Sequence, residues 1–80
     1  MELPNLTMSR QNAMDALVER IKRSISKERV CRLRRDELSI IWYGNAKLID
    51  EQRRIYIRNF AMLHGLFVVI HYRLEHAIFC

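Results

Sequence analysis

Arg20, Lys22, Arg23, Lys27, Arg29, Arg32, Arg34 and Arg35 crowd eight of the chain's fourteen basic residues into sixteen positions, with Glu28 the one acid among them. Residues 20–35 carry +7, residues 1–19 carry −2, and residues 36–80 set five basic side chains against five acidic ones. The formal charge of +5 therefore arises from one tract. Guanidinium and ammonium groups at this density attract polyanions, and a row of them can neutralise successive phosphates. Nucleic acid is the first partner that fits, with duplex DNA favoured, and an acidic protein surface is the other. No aromatic side chain interrupts the tract, so stacking on single-stranded bases has no support there.

Gln52, Arg53, Arg54 and Arg58 make a second constellation. Arg and Gln are residue types that read base edges when a helix enters a major groove. The competing reading is intrahelical pairing, Asp50 with Arg53 at i,i+3 and with Arg54 at i,i+4. The expected nucleic-acid contacts are thus Arg20, Arg23, Lys27, Arg32, Arg34 and Arg35 on phosphates, with Arg54 and Arg58 on a reading helix.

Other chemistry finds little to work with. His64, His71, Glu75, His76 and Cys80 show no recognised metal-ligand spacing, so no metal or other cofactor is expected. There is no glycine-rich phosphate loop, no nucleophile elbow and no paired-carboxylate arrangement, and 80 residues leave little room for a substrate cleft beside a core. No catalytic residue is assigned, and an enzyme is not expected. Cys31 lies inside the basic tract and Cys80 ends the sequence, which suits two reduced thiols in a cytoplasmic protein better than a disulfide framework. No basic leader with an apolar segment opens the chain at Met1-Glu2-Leu3-Pro4-Asn5. The longest uncharged run, Asn59 to Tyr72, falls short of the roughly 20 apolar residues that span a bilayer, so no membrane partner is expected.

These residues need elements to position them. Residues 1–8 read as an irregular lead-in and residues 9–80 as a single small domain. Ser9 suits an N-cap, and Met14, Leu17, Val18, Ile21 and Ile25 recur on one helical face while Arg20, Arg23 and Lys27 point away from it. Val30 to Arg34 reads as a short edge strand or a basic connector. Asp36 suits the cap of a short helix from Glu37 to Tyr43, stopped by Gly44-Asn45. A third helix is expected over Leu48–His64, burying Ile49, Tyr56, Phe60 and Leu63 and stopped by Gly65. The β-branched and aromatic run Leu66–Tyr72 then reads as a strand, with His76–Cys80 as its hairpin partner across Arg73-Leu74-Glu75. The fold class is α+β, three helices with a small C-terminal β-hairpin. The alternative is an all-α dimer with a long C-terminal helix, because Tyr56, Phe60, Leu63, Phe67, Ile70, Leu74 and Ala77 keep an unbroken 4-3 spacing through Gly65.

Three groups of residues carry a resemblance to a known family: Asp36-Glu37-Leu38 opening the second helix, Gly44-Asn45 at the turn, and Phe60-Ala61-Met62-Leu63-His64-Gly65-Leu66 at the third helix's handover to a strand. Over about residues 10–80 the order helix, strand, helix, turn, helix, strand, turn, strand resembles winged helix-turn-helix domains. That resemblance implies a DNA-binding transcriptional regulator with the third helix as reader. The chain differs from the family in having only Arg73 at its wing turn and Asp50-Glu51 at the start of its reading helix.

Half of the residues are apolar, more than so small a core can hold, and a strand over 66–72 would have two apolar faces. A homodimer is therefore expected, with Phe67, Val69 and Phe79 at its contact. The second functional reading is an inhibitor or adaptor of the phage or plasmid type that binds a host protein.

Overall fold

A computed structural model of the chain describes residues 6–80, with side-chain surroundings from Arg10 onward. Helix α1 spans Leu6–Glu28, strand β1 Cys31–Arg34, helix α2 Arg35–Leu38, helix α3 Asp50–Leu63, strand β2 Val68–Ile70 and strand β3 His76–Phe79. The strands form one antiparallel sheet in the order β1-β3-β2, so the last strand is the central one. This is the α+β class. The long C-terminal helix of the all-α alternative is absent.

Gly65 decides between the two. It takes φ +68, a left-handed conformation that glycine reaches without Cβ strain. From there its N–H donates to the Met62 carbonyl at 3.2 Å, and the Leu66 N–H donates to the Ala61 carbonyl at 2.8 Å. Those two bonds close the helix end by satisfying carbonyls that have lost their helical donors, and the chain leaves as an extended segment.

Among the described residues helix α1 runs from Leu6, so Ser9 lies inside it and not at its cap; residues 1–5 of the expected lead-in lie outside the described residues. Its apolar stripe faces the core as its spacing requires, with Leu17 and Ile21 buried and Met14, Val18 and Ile25 packed against them. It ends where Arg29 adopts φ 74 and donates its N–H to the Ile25 carbonyl at 2.8 Å.

The second helix is shorter than Glu37–Tyr43 and starts earlier. Arg34, not Asp36, is its N-cap, and the Glu37 carboxylate reaches back to accept the Arg34 N–H at 3.2 Å. After Leu38 the chain tightens into turns. Ser39 Oγ donates to the Asp36 carbonyl at 2.6 Å, and the Ile40 and Ile41 N–H groups donate to carbonyls three residues back. A serine that bonds its own backbone competes with helix propagation at that point. Leu38, Ile41 and Trp42 are buried all the same, because the turns keep them on the inner side.

Helix α3 is rolled away from the expected face. Ile57, Phe60 and Ala61 are buried, whereas Tyr56 is exposed and Leu63 is 79% exposed. At 100° per residue, Leu63 lies about 160° from Ala61 around the axis, so the two cannot both face the core. Apolar residues ring this helix, and Ile57 with Ala61 faces the sheet.

Register places the sheet's two faces. Cys31 pairs with Phe79 and Phe79 with Val68; Leu33 pairs with Ala77 and Ala77 with Ile70. These side chains point inward. Phe79 is fully buried, edge-on to Phe60 at 5.8 Å between ring centroids, and cannot serve as a dimer contact. The expectation for Phe79 fails because it lies on the central strand, on the face the helices cover. Phe67 and Val69 lie on the outer face and are exposed.

The β2–β3 turn lacks Gly, Asn, Asp and Pro. Leu74 supplies the left-handed residue instead, at φ 57, with its side chain fully buried. Burying a leucine contributes about 1.5–3 kcal/mol, which outweighs the roughly 1–2 kcal/mol cost of that backbone conformation.

Candidate nucleic-acid interface

β1 follows α1 after only Arg29 and Val30, so the basic tract is folded back on itself. Strand alternation sends Cys31 and Leu33 into the core and projects Arg32 and Arg34 from the outer face. Across the ladder Arg32 stands opposite Ile78 and Arg34 opposite His76. Two hollows meet here. One, of about 470 Å³, is lined by Arg20, Arg32, Arg34, Asp36 and Glu37. The other, of about 830 Å³, shares Arg32, Arg34 and Asp36 and extends past Arg35, Ser39, Trp42, Arg53, Glu75 and His76. Together they make a trough with five arginines on its walls.

Those arginines are not equivalent. Arg20 pairs with Glu37 and thereby ties α1 to α2. Arg35 donates to the Arg73 carbonyl at 3.2 Å and pairs with Asp50 at 3.5 Å, joining α2, the hairpin turn and α3. Arg53 pairs with Asp50 at 3.2 Å, and its guanidinium carbon lies 5.4 Å from the Trp42 ring centroid. Its Nε is buried and has no acceptor among the described residues. The π face of Trp42 supplies a compensating attraction for that cation. Arg32 and Arg34, by contrast, form no ion pair among the described residues and present their charge to solvent. Anion binding by this pair would break no internal contact.

Arg23 and Lys27 are exposed on α1. With Arg20 they fall within about 60° of one another around the helix axis. Of the three, Arg20 lines the trough, and Arg23 and Lys27 do not.

Helix α3 contributes differently from its expected role. Arg54 is partly buried and donates to the Tyr72 carbonyl, which pins the hairpin turn to the helix. This use leaves it poorly placed to read bases. The i,i+4 pair with Asp50 does not form, while the i,i+3 pair of Asp50 with Arg53 does. Arg58 is exposed on the helix, and the Asp50 charge at the helix start is matched by Arg35 and Arg53. Arg73 at the β2–β3 turn lies over the Tyr72 ring at 5.3 Å.

Two trough residues escape a reading by composition. His76 lies against His71 with 4.7 Å between ring centroids and the ring planes tilted by 37°. Its pKa is held below the ordinary imidazole value, first by desolvation, then by the charges of Arg32 and His71, with Glu75 pulling the other way. Trp42 forms part of the wall beneath Arg53. The signal for His76 was the alternation of β3, which lies opposite β1 only when three strands share one sheet. No group of three or more His, Cys, Asp or Glu side chains is arranged to hold a metal among the described residues. Among those residues, no helix is long and apolar enough to cross a membrane.

Comparison with protein families, characterised proteins and solved structures finds no match to this chain.

Proposed function

We propose that this chain is a small, non-catalytic, cytoplasmic regulator that binds nucleic acid, duplex DNA in particular, through the trough between α1, β1 and α2. The observation that carries this reading is the placement of Arg20, Arg32, Arg34, Arg35 and Arg53 around two adjoining hollows that share Arg32, Arg34 and Asp36, with Arg32 and Arg34 uncommitted. Free cations side by side on a strand suit adjacent phosphates, and releasing counterions from such phosphates drives association. The element order supports a winged-helix-like domain. In this version phosphate contacts centre on the trough, because Arg54 serves the fold and the start of α3 is acidic. Contacts of this kind position a duplex without reading it, so affinity is expected to exceed sequence preference.

A second reading, an adaptor that binds another protein, draws on the apolar hollow of about 350 Å³ between α1 and α3, where Met14, Tyr56 and Leu63 meet.

The test is duplex binding measured against salt. The parent should bind at low salt with a steep log-affinity against log-salt slope. Replacing Arg32 and Arg34 together by Gln should flatten that slope by about 0.9 for each phosphate that is no longer neutralised. Both side chains are exposed and form no ion pair among the described residues, so the variant should fold, with an unfolding midpoint at or above the parent's. No duplex binding by the parent at low salt, or an unchanged slope in the folded variant, overturns the proposal and leaves the basic trough to an acidic protein partner.

A further inference from the structure

The sheet has two edges, and they are finished differently. At the β1 edge, Arg32 and Arg34 project charge, and the Arg34 N–H is taken up by Glu37. Charged side chains and occupied donors are how natural sheets discourage a further strand. The β2 edge has neither device. Its strand is Val68-Val69-Ile70, inside the uncharged run from Asn59 to Tyr72.

Hydrogen-bond parity shows what that edge presents. Phe67 and Cys80 exchange both backbone bonds, at 2.9 and 3.0 Å, and the His71 N–H donates to the His76 carbonyl at 3.0 Å. Bonded pairs alternate along an antiparallel ladder, so Val69 bonds to Ile78 while Val68 and Ile70 turn their N–H and C=O groups outward. Those four groups have no hydrogen-bond partner among the described residues. The side chains repeat the pattern. Val68 and Ile70 face inward but stay partly exposed, although Ala77 and Phe79 on the same face are fully buried. On the outer face Phe67 is 78% exposed and Val69 is 67% exposed.

We propose that β2 pairs with β2 of a second copy, antiparallel across a two-fold axis at Val69, to make one six-stranded sheet. The outward groups alternate donor and acceptor, which only an extended backbone can match. A second β2 offers the same groups in reverse order, the self-complementarity that a two-fold contact requires. With Val69 opposite Val69 of the partner subunit, each Val68 exchanges two hydrogen bonds with Ile70 of the partner subunit. Charge does not oppose a second copy there. This edge is neutral in a basic chain, and pairing through it sets the two basic tracts at opposite ends of the sheet. The two β1 strands then lie five strand spacings apart, about 24 Å, beyond the Debye length of about 10 Å at 0.1 M salt. Pairing also covers Val68 and Ile70 and brings the exposed Val69 side chains into contact. This assembly is independent of what the trough binds.

The experiment reads mass and register separately. Sedimentation at tens of micromolar should give twice the chain mass. Val69→Lys, an exposed substitution that places two ammonium groups face to face, should return one chain mass with an unchanged far-ultraviolet spectrum. In a Cys80→Ser background, Val69→Cys should oxidise to a covalent dimer. Residues at a non-bonded antiparallel pair lie about 4.5 Å apart at Cα, within the disulfide range. Phe67→Cys in the same background faces His71 of the partner subunit and should cross-link at least tenfold more slowly. A parent that sediments as one chain overturns the proposal. So does a dimer that survives Val69→Lys, or equal cross-linking of the two cysteine variants.

Discussion

His76 stands opposite Arg34 on the strand ladder, against the His71 ring, with the Arg32 guanidinium and the Glu75 carboxylate near it. The folded state resists its protonation, because desolvation and then the electrostatic influence of Arg32 and His71 outweigh the Glu75 carboxylate. In the unfolded chain the imidazole titrates near its ordinary value of 6.5. As pH falls below that value the unfolded state takes up the proton first, so stability present above about pH 6.5 is lost on acidification. Urea titrations between about pH 7 and pH 5.5 should show a declining unfolding free energy. His76→Gln should shrink the decline, and an identical pH profile in that variant would show that other groups cause it. A bound polyanion acts in the opposite sense, since it favours the imidazolium. Duplex affinity in the parent should therefore rise over the same interval. The neighbouring arginines show how little residue type alone reveals. Arg32 and Arg54 look alike in the sequence, yet one projects from a strand into solvent and the other fastens a turn.

At the scale of elements, α1 and the end of α3 were legible, while the face of α3 was not. Charge segregation marks the buried side of α1, because Arg20, Arg23 and Lys27 leave one direction for Leu17 and Ile21. Gly65 marks a helix stop through a backbone requirement that other residues meet poorly. On α3, Ile55, Tyr56, Ile57, Phe60, Met62 and Leu63 surround the axis, and only packing against the sheet selects Ile57 and Ala61. Phe79 turns inward for a related reason: strand alternation offers two faces, and only the helix packed on one of them decides that Phe79 is buried against Phe60. Crowding of charge marks Arg32 and Arg34 as cations in search of a partner, and both are exposed and outside the ion pairs among the described residues, but nothing in the spacing signals that Arg35 and Arg54 tie down the hairpin turn. The roll of α3 can be measured. Ile57→Ala should cost about 2–5 kcal/mol of unfolding free energy, as truncations of buried aliphatic residues do. Leu63→Ala should stay within about 0.5 kcal/mol, as exposed sites usually do. Equal losses at the two positions would mean that both faces of the helix are buried in solution.

The whole molecule folds against its own charge. Folding gathers Arg20, Arg32, Arg34, Arg35 and Arg53 around one trough, whereas an unfolded chain lets them separate. Asp50 and Glu37 offset part of the repulsion through pairs in which at least one partner is about half exposed. Pairs of that kind contribute at most about 1 kcal/mol each and weaken in salt. Screening of the uncompensated cations should outweigh that weakening, since residues 20–35 carry +7 and three pairs engage only Arg20, Arg35 and Arg53. The melting temperature should therefore rise as sodium chloride goes from about 0.02 to 0.2 M, a range over which the Debye length falls to less than half. Sulfate at equal ionic strength should raise it further. Part of that excess is general exclusion from protein surface, which any folded chain experiences. The remainder reflects a divalent anion held by Arg32 and Arg34, so the excess of sulfate over chloride should shrink when both are replaced by Gln. Thermal melts of parent and variant in the two salts separate the contributions. A melting temperature that falls with sodium chloride would show that the ion pairs, and not the crowded cations, dominate the electrostatics of this fold.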